Sequence, residues 1–150
     1  MNNYSNGSEK ESLRDRIKSE MVSDYEDTLE RHFDLAKKLI KIQEDGKVFL
    51  KSKDSLTGKY QVALYLIGKV YSEHAGYSDT RRVGNKELQN QLGAKSASVR
   101  GWTKALRDEN KIKTVKESGK SFHRIKINYI ESILSEVLES IDNKNTEGDA

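Results

Sequence analysis

Cysteine and proline are both absent from this 150-residue chain. Without cysteine there is no disulfide and no thiolate metal site, which fits a reducing compartment. Without proline, and with no glycine between Glu9 and Glu44, nothing in that stretch forces a helix to stop. Long apolar runs are missing too. The longest, Val62 to Ile67, is far too short to span a bilayer. The opening residues, MNNYSNGSEKES, hold no apolar segment, so no signal peptide is expected. The sequence contains no phosphate-cradling glycine loop and no nucleophile–base signature. His32, His74 and His123 are too scattered for a metal set. The expectation is a non-enzymatic protein with no cofactor and no membrane contact, located in the cytoplasm, or with the nucleoid if prokaryotic.

Charge is what the chain has in quantity, and it is unevenly spread. The net value is only +3. Between Arg81 and Lys126, however, thirteen Lys and Arg stand against four acids, a local +9, and the remainder carries −6. A basic module with acidic flanks points to a polyanion as partner.

Hydrophobic spacing gives the elements. Leu13, Ile17, Met21, Tyr25, Leu29 and Phe33 recur every four residues, and Ala36, Leu39 and Ile40 continue the stripe. This predicts helix from Glu9 to about Glu44, as one rod or as two with a break near Ser23-Asp24. So polar a helix needs a partner surface, either this domain or a second copy of the chain. Asp45-Gly46 ends it, Lys47–Lys51 reads as a short strand, and Ser52–Gly58 as a linker. Lys59 to Ala75 is apolar on nearly all sides and should be the buried centre.

A small strand is expected at Thr80–Val83. Asn85 then caps a helix over Lys86–Leu92, with Leu88 and Leu92 inward and Gly93 at its end. The next helix is SASVRGWTKALRDEN, Ser96 to Asn110. Val99, Trp102, Thr103 and Leu106 form its apolar stripe, Ser96 is its expected cap, and Asn110 suits the left-handed position beyond its end. The other face carries Ser98, Arg100, Lys104 and Arg107. Past Asn110 the period changes to two. Ile112 and Thr114 alternate with Lys111, Lys113 and Val115; then His123, Ile125 and Ile127 oppose Phe122, Arg124 and Lys126 across a turn at Glu117–Lys120. This predicts a β-hairpin. Tyr129 to Ile141 reads as a last helix, with disordered tails at residues 1–8 and 143–150. The fold class is mainly α with a small β-hairpin (α+β).

The motif NKELQNQLGAKSASVRGWTKALRDENKIK, residues 85–113, resembles the winged helix-turn-helix module of transcription regulators. Leu88, Leu92, Gly93, Ser96, Val99 and Leu106 carry the match, which extends over residues 59–128. Residues 9–58 would then be a helical extension and 129–142 a C-terminal helix. Two departures are Asn110-Lys111, where glycine and an apolar residue are common, and Thr103, where leucine is common. The resemblance implies a sequence-specific double-stranded DNA-binding protein, a small transcriptional regulator. Its Ser96–Asn110 helix would enter the major groove and its hairpin would touch the backbone. Ser98 and Arg100 would contact bases, and Lys104 a base or a phosphate. Lys95 and Ser96 would hold a phosphate with the free helix amides. Arg107 would contact DNA or pair with Asp108 or Glu109. Lys116, Lys120, His123 and Arg124 would meet phosphates. The alternative is a winged-helix protein–protein or scaffold module of a nucleoprotein or replication complex. A homodimer contact is expected from residues 10–44 and 129–141.

Overall fold

The structure is a computed structural model and describes residues 12–21 and 25–149. The expected tail at residues 1–8 and the expected break near Ser23-Asp24 lie outside the described residues. The chain runs α1 (Leu13–Arg16, continued by a π-helical stretch over Ile17–Met21), α2 (Tyr25–Arg31), α3 (Phe33–Leu39), β1 (Ile40–Ile42) and β2 (Val48–Leu50). Then follow α4 (Gly58–His74), β3 (Val83–Gly84), α5 (Asn85–Leu92), α6 (Ser96–Asp108), β4 (Ile112–Glu117), β5 (Lys120–Ile125) and α7 (Ile130–Asp149). The architecture is mostly helical with two small antiparallel sheets, an α+β arrangement. No helix among the described residues is long and apolar enough to cross a membrane.

The centre is α4, as its composition predicts. Thr57 caps its start, and every residue from Val62 to Val70 is buried. One of those residues is charged. Lys69 Nζ lies 3.4 Å from Glu87 of α5, and the Tyr65 hydroxyl donates to the same carboxylate at 2.5 Å. Burial, reinforced by the Glu87 charge, pushes the Tyr65 phenol well above its usual pKa. The core around α4 draws on α2, α3, both sheets, α5, α6 and α7, so residues 29–56 share one core with the rest rather than forming a separate extension.

The N-terminal part departs from expectation. Helix stops at Leu39 rather than near Glu44. Ile40–Ile42 instead pairs with Val48–Leu50, Ile40 opposite Leu50. β-Branched Ile40 and Ile42 fit a pleated surface, and the hairpin gains the apolar side of α4 to cover it. Gly68 makes that seat. A Cβ there would stand 2.5 Å from a methyl of Val48. The four-residue stripe is thereby divided. Leu29, Ala36 and Leu39 are buried, while Leu13, Ile17, Met21 and Phe33 stay exposed.

The second sheet has order β3-β5-β4. Ile112 faces Ile125 and Glu117 faces Lys120 across a two-residue turn. Ser118 and Gly119 both have positive φ, +52° and +78°, the backbone of a type I′ turn whose twist matches the strands. Val83 adds a third strand opposite His123. Beyond the sheet, α7 lays Ile130, Ile133, Leu134 and Val137 into the core with no exposure. Its helix runs to Asp149, beyond the expected end at Ile141.

Candidate nucleic-acid interface

Helix α6 is held by one face. Val99, Thr103 and Leu106 are buried, and half-buried Trp102 lies over Gly58 at the start of α4. The rest of the helix therefore points outward. Ala97, Arg100, Gly101 and Lys104 are exposed, and a Cβ on Gly101 would meet nothing within 4 Å. The three-residue turn before it starts at Gly93, whose φ of +63° ends α5 at low cost for glycine. At the far end Asn110 takes φ +63°. Its amide donates to the Arg107 carbonyl and that of Lys111 to the Leu106 carbonyl, at 2.8 and 2.9 Å. This is the Schellman closure, with asparagine in the glycine position.

Lys95, not Ser96, occupies the cap position of α6, and no side chain caps it. Ser96 is the first helical residue, and its hydroxyl accepts from Arg100. No acid stands in the first turn, and Lys95 and Arg100 are exposed beside it. A groove of about 560 Å³ separates this helix start from the hairpin tip, with Lys86, Glu87, Gln89, Ser96, Lys120 and Ser121 on its walls. Comparison with known proteins finds no matching family model, no matching curated protein and no matching solved structure.

Of the residues marked by sequence, Lys95, Ser96, Arg100 and Lys104 sit together on or beside the outer face of α6, with Ser98 half-buried. Lys104 holds an exposed pair with Asp108 at 2.8 Å. Lys116 and Lys120 are exposed at the hairpin tip. Arg107 pairs with neither Asp108 nor Glu109. It donates to Thr114 of β4 at 3.3 Å. Glu109 is held instead by Lys59 and Lys111, at 2.7 and 3.0 Å. Burial would raise the Glu109 carboxyl, but those two cations hold it below its usual range. Burial would likewise lower Lys111, but Glu109 and Glu136 hold its ammonium above the ordinary value.

His123 does not belong on a phosphate-contacting surface. It is 1% exposed. Thr114, already accepting from Arg107, donates its hydroxyl to His123 Nδ1 at 2.7 Å; the opposite ring N–H donates to Asn85 Oδ1 at 2.7 Å. Asn85 is accordingly the first residue of α5 and not its cap, a position taken by Gly84. Burial, and secondarily the Arg107 charge, lower the His123 pKa from 6.5 to about 4. The imidazole is thus a neutral link between α5, β4 and β5. Its place was legible, since pleat alternation puts His123 on the same face as Ile125. The same alternation turns Arg124 to the opposite face of the sheet, away from Thr114. Lys86 and Gln89 escaped the sequence reading, although Lys86 lies inside the basic segment and in the first turn of the preceding helix.

The expected dimer surfaces differ from each other. Most of the apolar face of α7 is buried inside the chain, with Leu138 and Ile141 partly covered. Among the described residues, α1 and its π-helical continuation keep an uncovered stripe, with Leu13 and Met21 71% and 79% exposed.

Proposed function

We propose that this chain is a winged-helix protein that reads double-stranded DNA as a small regulator. Two helices joined by a tight turn, followed by a basic hairpin with a third short strand, support the winged-helix reading. One observation carries the DNA assignment. The outward face of α6 presents Arg100, Lys104 and small residues, no side chain caps its amino end, and a groove with Lys86 and Lys120 on its walls joins it to the hairpin. A major groove admits one helix of this kind. Arg100 would meet guanine, a pair worth about 1–3 kcal/mol of discrimination. Lys95, Lys116 and Lys120 would neutralise phosphates, giving affinity without sequence preference.

The stripe on α1 supports a second copy as further partner. Leu13, Ile17 and Met21 recur at i, i+4 and i+8, and a helix this short is not stable alone in water. Two copies would read a two-fold site. Selection of bound duplexes from a random pool, followed by a salt titration of the winner, tests the whole reading. The expected outcome is one enriched motif whose binding weakens steeply with salt and collapses with Arg100→Ala plus Lys104→Ala. Unchanged binding by that double variant would remove α6 as the reading helix. A monomeric mass by light scattering at high concentration would remove the second copy.

A further inference from the structure

We propose that the outer face of the hairpin sheet carries a separate oxyanion site that takes a phosphate group. A cleft of about 260 Å³ lies where β4, β5 and the chain leaving β5 meet the approach to β3. Four cations line it, Arg81, Lys113, Arg124 and Lys126, together with Asn128 and with no carboxylate. Lys113 and Arg124 stand directly opposite each other across the ladder. Like charges in that relation repel and weaken the strand pair. Among the described residues neither has a carboxylate partner.

This is not a shortage of acids. The neighbouring cations are matched: Arg82 by Glu117, Lys104 by Asp108, and Lys111 by Glu109 and Glu136. Lys113 and Arg124 differ from these neighbours in standing opposite each other on the ladder. The cleft's other two cations are already oriented. Arg81 is gripped by Glu73 through Nε and a terminal nitrogen, both at 2.8 Å. Lys126 donates to the neutral Asn110 side chain at 2.5 Å and so keeps its full charge. An oxyanion entering here relieves the Lys113–Arg124 repulsion and meets donors that need little ordering. Phosphate suits them, because its oxygens match the guanidinium fork while the ammoniums act as point charges. The phosphate belongs either to a nucleic-acid strand or to a small phosphorylated molecule. The site stands whether or not α6 reads DNA, since it lies on the other face of the sheet from His123 and Thr114.

The test uses the full chain in an NMR titration at constant ionic strength, with pyrophosphate and separately with a random-sequence duplex. Pyrophosphate is expected to move the amide signals of residues 113 and 124–128 saturably. Lys113→Gln with Arg124→Gln should weaken it about tenfold or more, as loss of charged hydrogen bonds implies. Arg100→Gln should leave it unchanged. Without anion the double variant should melt no lower than the parent, because it loses a repulsion, and pyrophosphate should no longer raise its midpoint. A duplex that moves the same signals and competes with pyrophosphate identifies the ligand as a nucleic-acid backbone. Pyrophosphate binding without such competition identifies a small phosphorylated ligand. No saturable shift from either up to about 10 mM, ten times a millimolar dissociation constant, overturns the proposal, as does parental affinity in the double variant.

Discussion

The molecule contains two antiparallel hairpins built on opposite principles. β1–β2 is three residues a side and is laid flat on α4, with Ile40, Val48 and Leu50 all buried. β4–β5 is six residues a side. It buries Ile112, His123 and Ile125 near its base and sends lysines outward to its tip. The first is a wall of the core. The second is a core element only at its root and a charged surface beyond it. The difference teaches that strand pairing alone does not say what a hairpin is for; the residues that alternate with the apolar ones do.

That contrast can be broken in graded ways. The largest effect is expected at the seat of β1–β2. Gly68→Val forces a side chain into Val48 and should cost more than about 3 kcal/mol, at the upper end for overpacked cores. Adding Val48→Ala should recover part of it. Introducing valine at the other hairpin, Lys116→Val, should change stability by less than about 0.5 kcal/mol, as for surface sites generally. Urea denaturation of the three variants measures this, and equal losses from Gly68→Val and Lys116→Val would abolish the distinction.

Next in size is the root of β4–β5. His123 has a folded pKa of about 4 against 6.5 when unperturbed. Its contribution is fully present above about pH 6.5. It is lost as pH falls toward 4, because there the unfolded chain binds a proton that the fold excludes. The loss should be of order 3 kcal/mol. An NMR titration of the imidazole gives the midpoint directly, and a value near 6.5 would place His123 in water.

A smaller effect is expected at the tip. Lys116→Ser with Lys120→Ser should reduce the salt slope of duplex binding by about 2, roughly one per phosphate contact, and leave the bound sequence motif unchanged. An unaltered slope would take the tip off the DNA. The smallest effect lies in the turn itself. Ser118→Asn places a residue better suited to positive φ in the type I′ turn and should stabilise by about 0.5 kcal/mol. A loss of stability would show that Ser118 has a role beyond the turn.

Where one period dominated, the sequence was a sufficient guide. The all-round apolar run of α4, the inward Leu88 and Leu92 of α5, and the stripe of α6 each have one way to bury themselves. Asn110 at positive φ and the two-residue turn followed from local backbone chemistry. The N-terminal stretch was harder. A stripe repeating every four residues does not say which members are covered, and Ile40 continues a helix pattern while also suiting a strand. Only the apolar flank of α4, a contact distant in sequence, decides between them. His123 went astray for another reason. It was grouped with the hairpin cations by charge when the pleat puts it beside Ile125 on the buried face.

The pair between buried Lys69 and half-buried Glu87 has a consequence for how α5 is set against α4. Apolar helices tolerate several sliding registers, since one leucine contact resembles another. Displacing α5 by a single turn would leave the ammonium without its carboxylate, a penalty of about 3–5 kcal/mol for a stranded buried charge. The pair thus works as a notch on an otherwise smooth rail, and whatever angle α6 presents to the outside is inherited from it.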